Sequence, residues 1–378
     1  MGRLVALSMP GGPRWLEQLD RIWADGDAVA PIDPRAPAAQ RARLLAALRP
    51  EALIDDAGEH PLEGGRPVDD GDALVMATSG TTAAPKGVVL THRALDAAAT
   101  ASAEALGQST DSVWLACLPL HHVGGFSVIT RARATGSGLV IHDGFDAEAV
   151  TAAARDGATH TALVTTALAR IDPSRFDTIL LGGSAIPAER PSNCVATYGM
   201  TESGAGVVYD GRALPGVELR IAEPDDRGVG AIELRSPTLL RCYRDGNDPK
   251  DLVGWYRTGD LGSVDASSGL LSVSGRADDV IITGGEKVWP DAVEAVVATH
   301  HGVAEVAVIG RPNPEWGEAV TAVVVPVDVL RPPLLAELRA LVRDSLPAYA
   351  APKAVELIER LPRGGLGKVS RAVLRGDR

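Results

Sequence analysis

Hydroxyls, permissive backbone and one cation are packed into the ten residues Thr78-Ser79-Gly80-Thr81-Thr82-Ala83-Ala84-Pro85-Lys86-Gly87. Hydroxyls donate to phosphate oxygens, glycines let the main chain approach an anion, and an ammonium offsets negative charge, so the run has the chemistry of a polyphosphate loop. It is not a Walker A loop. There Gly-Lys is followed directly by a Ser or Thr that ligates Mg²⁺, whereas Lys86 lies between Pro85 and Gly87. A different nucleotide chemistry is implied.

Four further strings carry reactive side chains. Tyr198-Gly199-Met200-Thr201-Glu202-Ser203 offers a ring that can stack on adenine, a hydroxyl for an α-phosphate and a carboxylate for Mg²⁺. Gly254 to Gly262 presents Asp260 in a Gly-bounded turn, an acid able to accept both hydroxyls of a ribose. Gly275-Arg276-Ala277-Asp278 leads to the pair Gly284-Gly285, and Pro362 to Arg371 is a Gly-rich turn presenting Lys368. Each string alone also has a plainer reading: a turn with a surface acid, a β-turn, an interdomain linker, a solvated tail lysine.

These residues need elements to hold them. The run Asp72–Ala77 reads as a strand ahead of the loop, and Thr91 as the N-cap of a helix over 94–106, which predicts strand, phosphate loop, helix. Strands at 113–118, 138–141, 160–165 and 178–181 alternate with helices at 128–134 and 146–155, the βα repeat of a mainly parallel sheet. A short strand over 195–197 would place Tyr198 to Ser203 at a strand end. From 207 to 264 short strands such as 217–221 and 231–235 predict a small barrel-like β subdomain. An α+β pattern follows, with helices at 290–299 and 334–345 and strands at 306–309, 319–325 and 355–357. The expected fold is a large α/β domain, residues 1–277, and a small α+β domain, residues 278–378.

Composition narrows the class. A net charge of −12 over 378 residues, with no basic run, argues against nucleic-acid binding. Cys117, Cys194 and Cys242 are odd in number and widely spaced, which predicts small buried side chains in a reducing cytoplasm and no structural zinc. No apolar run reaches membrane-spanning length, so no membrane insertion is expected. Only five lysines occur; Lys86 and Lys368 fall inside the strings above, and Lys287 in the one that begins at Gly275, which runs on to Val288.

The five main strings appear in the order of, and resemble the motifs of, the adenylate-forming superfamily of acyl-CoA synthetases, adenylation domains and luciferases; the likeness runs from Asp33-Pro34-Arg35 to Arg371. One departure is Ala83, where the family usually carries Gly. The resemblance implies ATP, Mg²⁺ and coenzyme A as reactants and cofactors. It implies that Thr78, Ser79, Gly80, Thr81, Thr82 and Lys86 hold phosphates, that Gly183 and Ser184 in Gly182-Gly183-Ser184-Ala185 line the adenine and acyl pocket, and that Tyr198 meets adenine. Thr201 and Glu202 would act at the α-phosphate and Mg²⁺, Asp260 would hold the ribose, and Arg276 would reach the ribose or phosphate. Asp278 would be the hinge, Gly284 and Gly285 would let pantetheine pass, and Lys368 would enter the site for the first half-reaction.

Leu118-Pro119-Leu120-His121-His122-Val123-Gly124-Gly125-Phe126 is similar to the family's acyl gate, with His122 toward the acyl group, and is most like that of the o-succinylbenzoate:CoA ligases of menaquinone biosynthesis. The chain is shorter than most members, which favours the same group, and it stops at Arg378 without the carrier domain expected after a peptide-synthetase loading domain. A dicarboxylate substrate needs a donor for the carboxylate it keeps, and Arg131 is the expected one. Another aryl- or acyl-CoA synthetase, or a catalytically silent nucleotide-binding relative, remain the alternatives; retention of Glu202, Asp260 and Lys368 speaks against silence. Self-association as a homodimer is left open.

Overall fold

The computed structural model describes residues 1–78, 85–183, 186, 189–363 and 369–376. Ser79, Gly80, Thr81, Thr82, Ser184 and Lys368 lie outside the described residues.

The chain opens with β1 (Leu4–Leu7), α1 (Pro13–Ala24), β2 (Ala28–Pro31), α2 (Ala38–Leu48), β3 (Ala52–Asp55) and β4 (Gly58–Pro61), in a stretch to which the sequence pattern assigned no element. The strands there are four residues long, and β1 and β2 are wholly buried, so neither shows alternation. Helix α1 starts with Pro13, whose fixed φ and missing N–H suit a first turn, and it buries Trp15, Leu19 and Ile22 along one face.

Strands β5 (Asp72–Thr78) and β6 (Lys86–Thr91) pair antiparallel down to Thr78 opposite Lys86. The phosphate run is therefore the connection of a hairpin, and the expected strand, loop, helix order is corrected to strand, loop, strand, helix. The reason lies in Val88, Val89 and Leu90, all fully buried and shaped for a sheet interior. Only then does Thr91 cap α3 (His92–Leu106), its hydroxyl accepting the Ala94 N–H at 3.1 Å. Next come β7 (Val113–Ala116), α4 (Val123–Thr135), β8 (Gly138–Ile141), α5 (Ala147–Arg155), β9 (His160–Leu163), α6 (Thr165–Leu168), β10 (Thr178–Leu181), β11 (Cys194–Met200), β12 (Ala205–Tyr209) and β13 (Arg212–Ala213).

The remaining elements are β14 (Glu218–Ala222), β15 (Gly230–Arg235), β16 (Cys242–Tyr243), β17 (Tyr256–Val264), β18 (Leu271–Arg276), β19 (Ile281–Thr283), β20 (Glu286–Val288), α7 (Pro290–Val297), β21 (Val303–Asn313), β22 (Gly317–Pro326), α8 (Leu335–Ser345), β23 (Ala354–Leu357) and α9 (Arg371–Arg375). One sheet runs β16-β6-β5-β2-β1-β3-β4 and a second β13-β12-β11-β10-β9-β7-β8. Their interiors are parallel and all but one of their margins antiparallel, as at β5–β6, β3–β4 and β11–β12, the edge pair β7–β8 being parallel, so the sheets are mixed. Strands β14-β15-β17-β18 form a four-stranded sheet where the barrel-like subdomain was expected.

The chain divides into two compact units, Met1–Leu219 with Leu234–Tyr256, and Arg220–Glu233 with Arg257–Arg378. In the first, one core gathers Leu4, Ala28, Leu48, Val75 and Val89, and another Leu115, Leu163, Phe176, Ile179 and Leu181. In the second, Val293, Val297, Leu338 and Val342 from α7 and α8 pack on Val308 and Val320 of the long β21–β22 hairpin. Each fully buried valine, leucine or isoleucine among them contributes about 1.5–3 kcal/mol. Cys117, Cys194 and Cys242 are free and buried. Among the described residues no helix is long and apolar enough to cross a membrane.

Candidate active site

At the end of the β5–β6 ladder Thr78 Oγ1 lies 3.3 Å from the Lys86 carbonyl, to which it donates, so the two ends of residues 79–84 are held together. Lys86 is exposed, with its ammonium 5.1 Å from the centre of the Tyr243 ring. Gly87 has a different role from the one its loop position suggests. A Cβ there would lie 2.7 Å from Leu48 Cδ2 and 2.8 Å from Arg244 Cβ, so packing, not approach to an anion, requires the glycine.

Tyr243 was not singled out by its sequence context, yet it links two predicted site residues. From β16, which pairs with β6, it sets its ring beside Lys86 and donates its hydroxyl to Glu202 Oε1 at 3.1 Å. Burial, then the charge of Glu202, push the phenol up to about 12, so Tyr243 remains a donor at neutral pH. Glu202 is also held by its main chain, whose carbonyl accepts the Leu240 N–H at 2.8 Å.

Strand β11 runs further than expected, through Tyr198 to Met200, with a bulge between Tyr198 and Gly199. A Cβ on Gly199 would sit 2.1 Å from the Ala205 carbonyl oxygen, so only glycine allows β12 to return so closely. The chain then makes a single turn, Thr201–Ser203, with the Met200 N–H donating to Ser203 Oγ at 3.0 Å. The neighbouring parallel strand β10 ends at Leu181, followed by Gly182, where a Cβ would crowd Thr197 Oγ1 at 2.8 Å, and by Gly183 in the left-handed region at φ 85°. Thr201, Glu202 and Gly183 therefore follow the carboxyl ends of adjacent parallel strands, the usual ligand crevice of an α/β sheet.

The gate follows β7 in the same sheet. Its helix α4 starts at Val123, earlier than the expected 128, and His122 is the N-cap, its carbonyl accepting the Phe126 N–H at 3.0 Å. Gly125 lets the first turn lie against the preceding loop, since a Cβ would be 2.4 Å from the Pro119 oxygen. The rings of His121 and His122 are 4.4 Å apart. Burial lowers the pKa of His121, against the pull of Asp33 at 3.9 Å, which favours a neutral ring. Desolvation pushes Asp33 up, but the Arg35 N–H at 3.0 Å and the charges of His121 and Arg35 outweigh it and hold its carboxyl low.

Arg131 is not at the gate. Nine residues along α4 from His122, about 13 Å at 1.5 Å per residue, it is only 4% exposed. Its guanidinium donates to Ser102 Oγ at 2.8 Å, Ser127 Oγ at 2.9 Å and the Tyr209 hydroxyl at 3.3 Å, and lies 5.6 Å from the Trp114 ring centre. Trp114 is the second residue of β7, at the end of that strand away from the gate, and Tyr209 of β12 pairs with Thr197 of β11. The expectation that Arg131 meets a retained carboxylate is corrected: it cross-links α3, α4 and β12 in the interior.

In the second unit, antiparallel pairing sets Asp260 of β17 opposite Arg276 of β18, with Arg276 Nη1 3.2 Å from Asp260 Oδ1 and also donating to the Thr258 carbonyl at 3.2 Å. Gly259 takes φ 78°, and a Cβ there would press on the Arg276 guanidinium at 3.0 Å. Asp278 is exposed within the single turn Ala277–Asp279. Gly284 and Gly285, at φ 61° and 85°, are the two-residue turn joining β19 to β20, a geometry that demands positive φ at both positions.

A mixed α/β fold whose hairpin loop has phosphate chemistry, and in which β11 and the turn after it carry an aromatic, a hydroxyl and a carboxylate, has the groups of a nucleotide-binding enzyme. Residues 62–244 match the AMP-binding enzyme family and residues 292–368 the AMP-binding enzyme C-terminal domain. A probable 2-succinylbenzoate–CoA ligase of Mycobacterium tuberculosis is 39% identical over 339 residues, 83% of this chain and 86% of its own. The o-succinylbenzoate CoA synthetase of Bacillus subtilis in complex with the acyl-adenylate intermediate OSB-AMP superposes with a TM-score of 0.88 at 26% identity, over 100% of this chain and 89% of its own. The same enzyme in complex with ATP and magnesium gives a TM-score of 0.85 at 26% identity, with the same coverage. The chain belongs to the AMP-binding enzyme family of the adenylate-forming superfamily.

The interior placement of Arg131 sets an expectation. Arg131→Ala opens a cavity and strips a donor from three buried hydroxyls, so unfolding should cost about 2–4 kcal/mol less than in the parent. Denaturant titration measures this, and the KM for the carboxylic acid should stay within about twofold, because the side chain takes no part in uniform binding.

Proposed function

We propose that the protein is an acid:CoA ligase that converts o-succinylbenzoate to o-succinylbenzoyl-CoA in menaquinone biosynthesis, using ATP and coenzyme A. The observation that carries the substrate is the gate Leu118 to Phe126, with its paired histidines, in a chain 39% identical to a probable 2-succinylbenzoate–CoA ligase. ATP and CoA support a cytoplasmic setting, in keeping with three unpaired cysteines.

In this reading a carboxylate oxygen attacks the α-phosphorus of ATP and pyrophosphate leaves; the CoA thiolate then attacks the acyl carbonyl and AMP leaves. Lys86, the hydroxyls of Ser79, Thr81 and Thr82 and the backbone at Gly80 bind the leaving phosphates, Thr78, whose hydroxyl donates to the Lys86 carbonyl, closes the base of the loop, and Thr201 bonds the α-phosphate. Tyr198 stacks on adenine, Gly183 and Ser184 line the adenine and acyl pocket, and His122 faces the acyl group. Asp260, oriented by Arg276, accepts the ribose hydroxyls.

Glu202 suits a hard cation: Tyr243 bonds one carboxylate oxygen, no described residue bonds the other, and no group of three metal-ligating side chains occurs among the described residues. A single protein carboxylate, with phosphate and water completing the shell, is how Mg²⁺ is commonly held. When bound, Mg²⁺ neutralises the departing pyrophosphate.

Lys368 brings a mobile charge to the carboxylate and the α-phosphate in the first half-reaction. Residues 278–378 then turn about Asp278, an exposed residue in a one-turn link, and Gly284-Gly285 lets pantetheine pass.

Pyrophosphate release measured over a panel of acids, with and without CoA, tests the substrate. Turnover of o-succinylbenzoate should far exceed that of benzoate, cinnamate or medium-chain fatty acids; preference for a fatty acid would remove the substrate assignment and keep the enzyme class. Lys368→Ala should abolish acyl-adenylate formation and spare thioester formation from supplied acyl-adenylate, because the charge it offsets develops as pyrophosphate departs. Equal loss in both steps contradicts this role. Tyr243→Phe removes a charge-assisted hydrogen bond worth about 1.5–3 kcal/mol, so KM for magnesium–ATP should rise on the order of 10- to 100-fold. Initial rates against magnesium–ATP check this, with the thioester step as an unaffected control.

A further inference from the structure

Lys250, in the first unit, has no part in the site described above. Its side chain is 19% exposed, and its ammonium has one acceptor for each of its three protons: the Leu240 carbonyl at 2.7 Å, the Arg241 carbonyl at 3.0 Å and Asp248 Oδ1 at 2.7 Å. Asp248 also accepts the Lys250 N–H at 3.0 Å, so it holds the lysine's own turn and offsets its charge. The main chain of Lys250 bridges antiparallel to Tyr256, which is buried.

The two residues that Lys250 and Tyr256 grip are the ones that orient Glu202. Leu240, held through its carbonyl, donates its N–H to the Glu202 carbonyl at 2.8 Å. Tyr243 donates its hydroxyl to Glu202 Oε1 at 3.1 Å, and the same hydroxyl takes a side-chain hydrogen bond from Tyr256. Glu202 thus has both its main chain and its carboxylate fastened to residues 240–243, and those are fastened in turn to Lys250 and Tyr256. Strand β16 needs such support, since it has only two residues and lies at the edge of its sheet. The choice of lysine, one of five among 37 basic residues, has a physical reason. An ammonium directs three donors from one small centre to three separate acceptors, whereas the planar fork of arginine spreads its nitrogens over a wider front.

We propose that Lys250 is a positioning residue for the carboxylate of Glu202: by clamping residues 240–241 it fixes the Leu240 and Tyr243 contacts that aim Glu202, and so sets the affinity for magnesium–ATP. The inference rests on the proposed metal role of Glu202. Lys250 is not itself a ligand for phosphate, because each of its protons already has an acceptor.

The test is calorimetry on the whole chain, comparing the parent with Lys250→Met, Lys250→Arg and Glu202→Gln, each titrated with ATP in excess magnesium and with ATP in EDTA. Lys250→Met keeps the apolar stem and loses the donors, and it should raise the Kd for magnesium–ATP about 10-fold, the scale on which outer partners of a metal ligand act. Its Kd for metal-free ATP should stay parental, which also shows that the fold is intact. Lys250→Arg should fall between, since a guanidinium can still donate to the two carbonyls. At limiting magnesium, Lys250→Met should slow acyl-adenylate formation and leave thioester formation from supplied acyl-adenylate unchanged. Equal weakening of ATP binding with and without magnesium would make Lys250 general structural support and overturn the proposal, as would parental magnesium–ATP binding in Lys250→Met. Glu202→Gln separates the two readings. If it leaves magnesium–ATP binding parental, the metal role of Glu202 fails and this inference with it; a loss in Glu202→Gln with none in Lys250→Met ends the role of Lys250 alone.

Discussion

Much of the first unit depends on a cation buried without a carboxylate partner. Arg244 is 7% exposed, and every nitrogen of its guanidinium donates to main-chain carbonyls: Nε to Leu48 at 2.9 Å, Nη1 to Pro67 at 2.9 Å, and Nη2 to Arg66 and Arg49. Leu48 ends α2 and Arg49 caps it, so the arginine satisfies carbonyls that a helix leaves unpaired and meets the negative end of its dipole. Burial, then the charge of nearby Arg66, depress its pKa. Three residues earlier Arg241 makes a two-bond contact with Asp72, whose side chain is wholly buried, at 2.8 Å each. Between these anchors β16 is fastened to β6, and Tyr243 is carried to Lys86 and Glu202.

The same logic, long-range arginines fixing short strands, recurs. Arg131 joins two helices and a strand through hydroxyls, and Arg371 joins the link at Asp279 and Glu294 of α7 through carboxylates. Hydroxyl partners only hydrogen-bond the charge, whereas carboxylates also neutralise it. Glycine does the complementary work. Gly87, Gly125 and Gly199 are each needed because a Cβ would strike a neighbouring element, which lets short strands and a helix start approach closely.

The motifs could be read along the chain because each is contiguous: the Thr78 to Gly87 run, Tyr198 to Ser203, the Asp260 turn and Gly284-Gly285 each span only a few residues. Helices α3 and α5 were legible too, since Thr91 and Asp146 cap them as their residue types suggest. Strands β1 to β4 were not, because each is only four residues long; β1 and β2 are also buried on both faces, which leaves no period to detect. Strand β6 was missed for a related reason: Val88-Val89-Leu90 is a short apolar run squeezed between a loop and a helix cap.

Taken alone, the sequence determined the chemistry on offer, the order of the motifs, the family likeness and the two-part α/β and α+β plan, all of which rest on residue type and local spacing. Tertiary structure decided which side chains meet. It brought Tyr243 to Glu202 across 41 residues and Arg371 to Asp279 across 92, and it put Arg131 in the interior instead of at the gate. Neither contact has a signature along the chain, since strand pairing and helix packing, not spacing, bring distant residues together. For Arg131 the direction of its side chain depends on how α4 lies against β7 and β12, which nine residues of helical sequence do not specify.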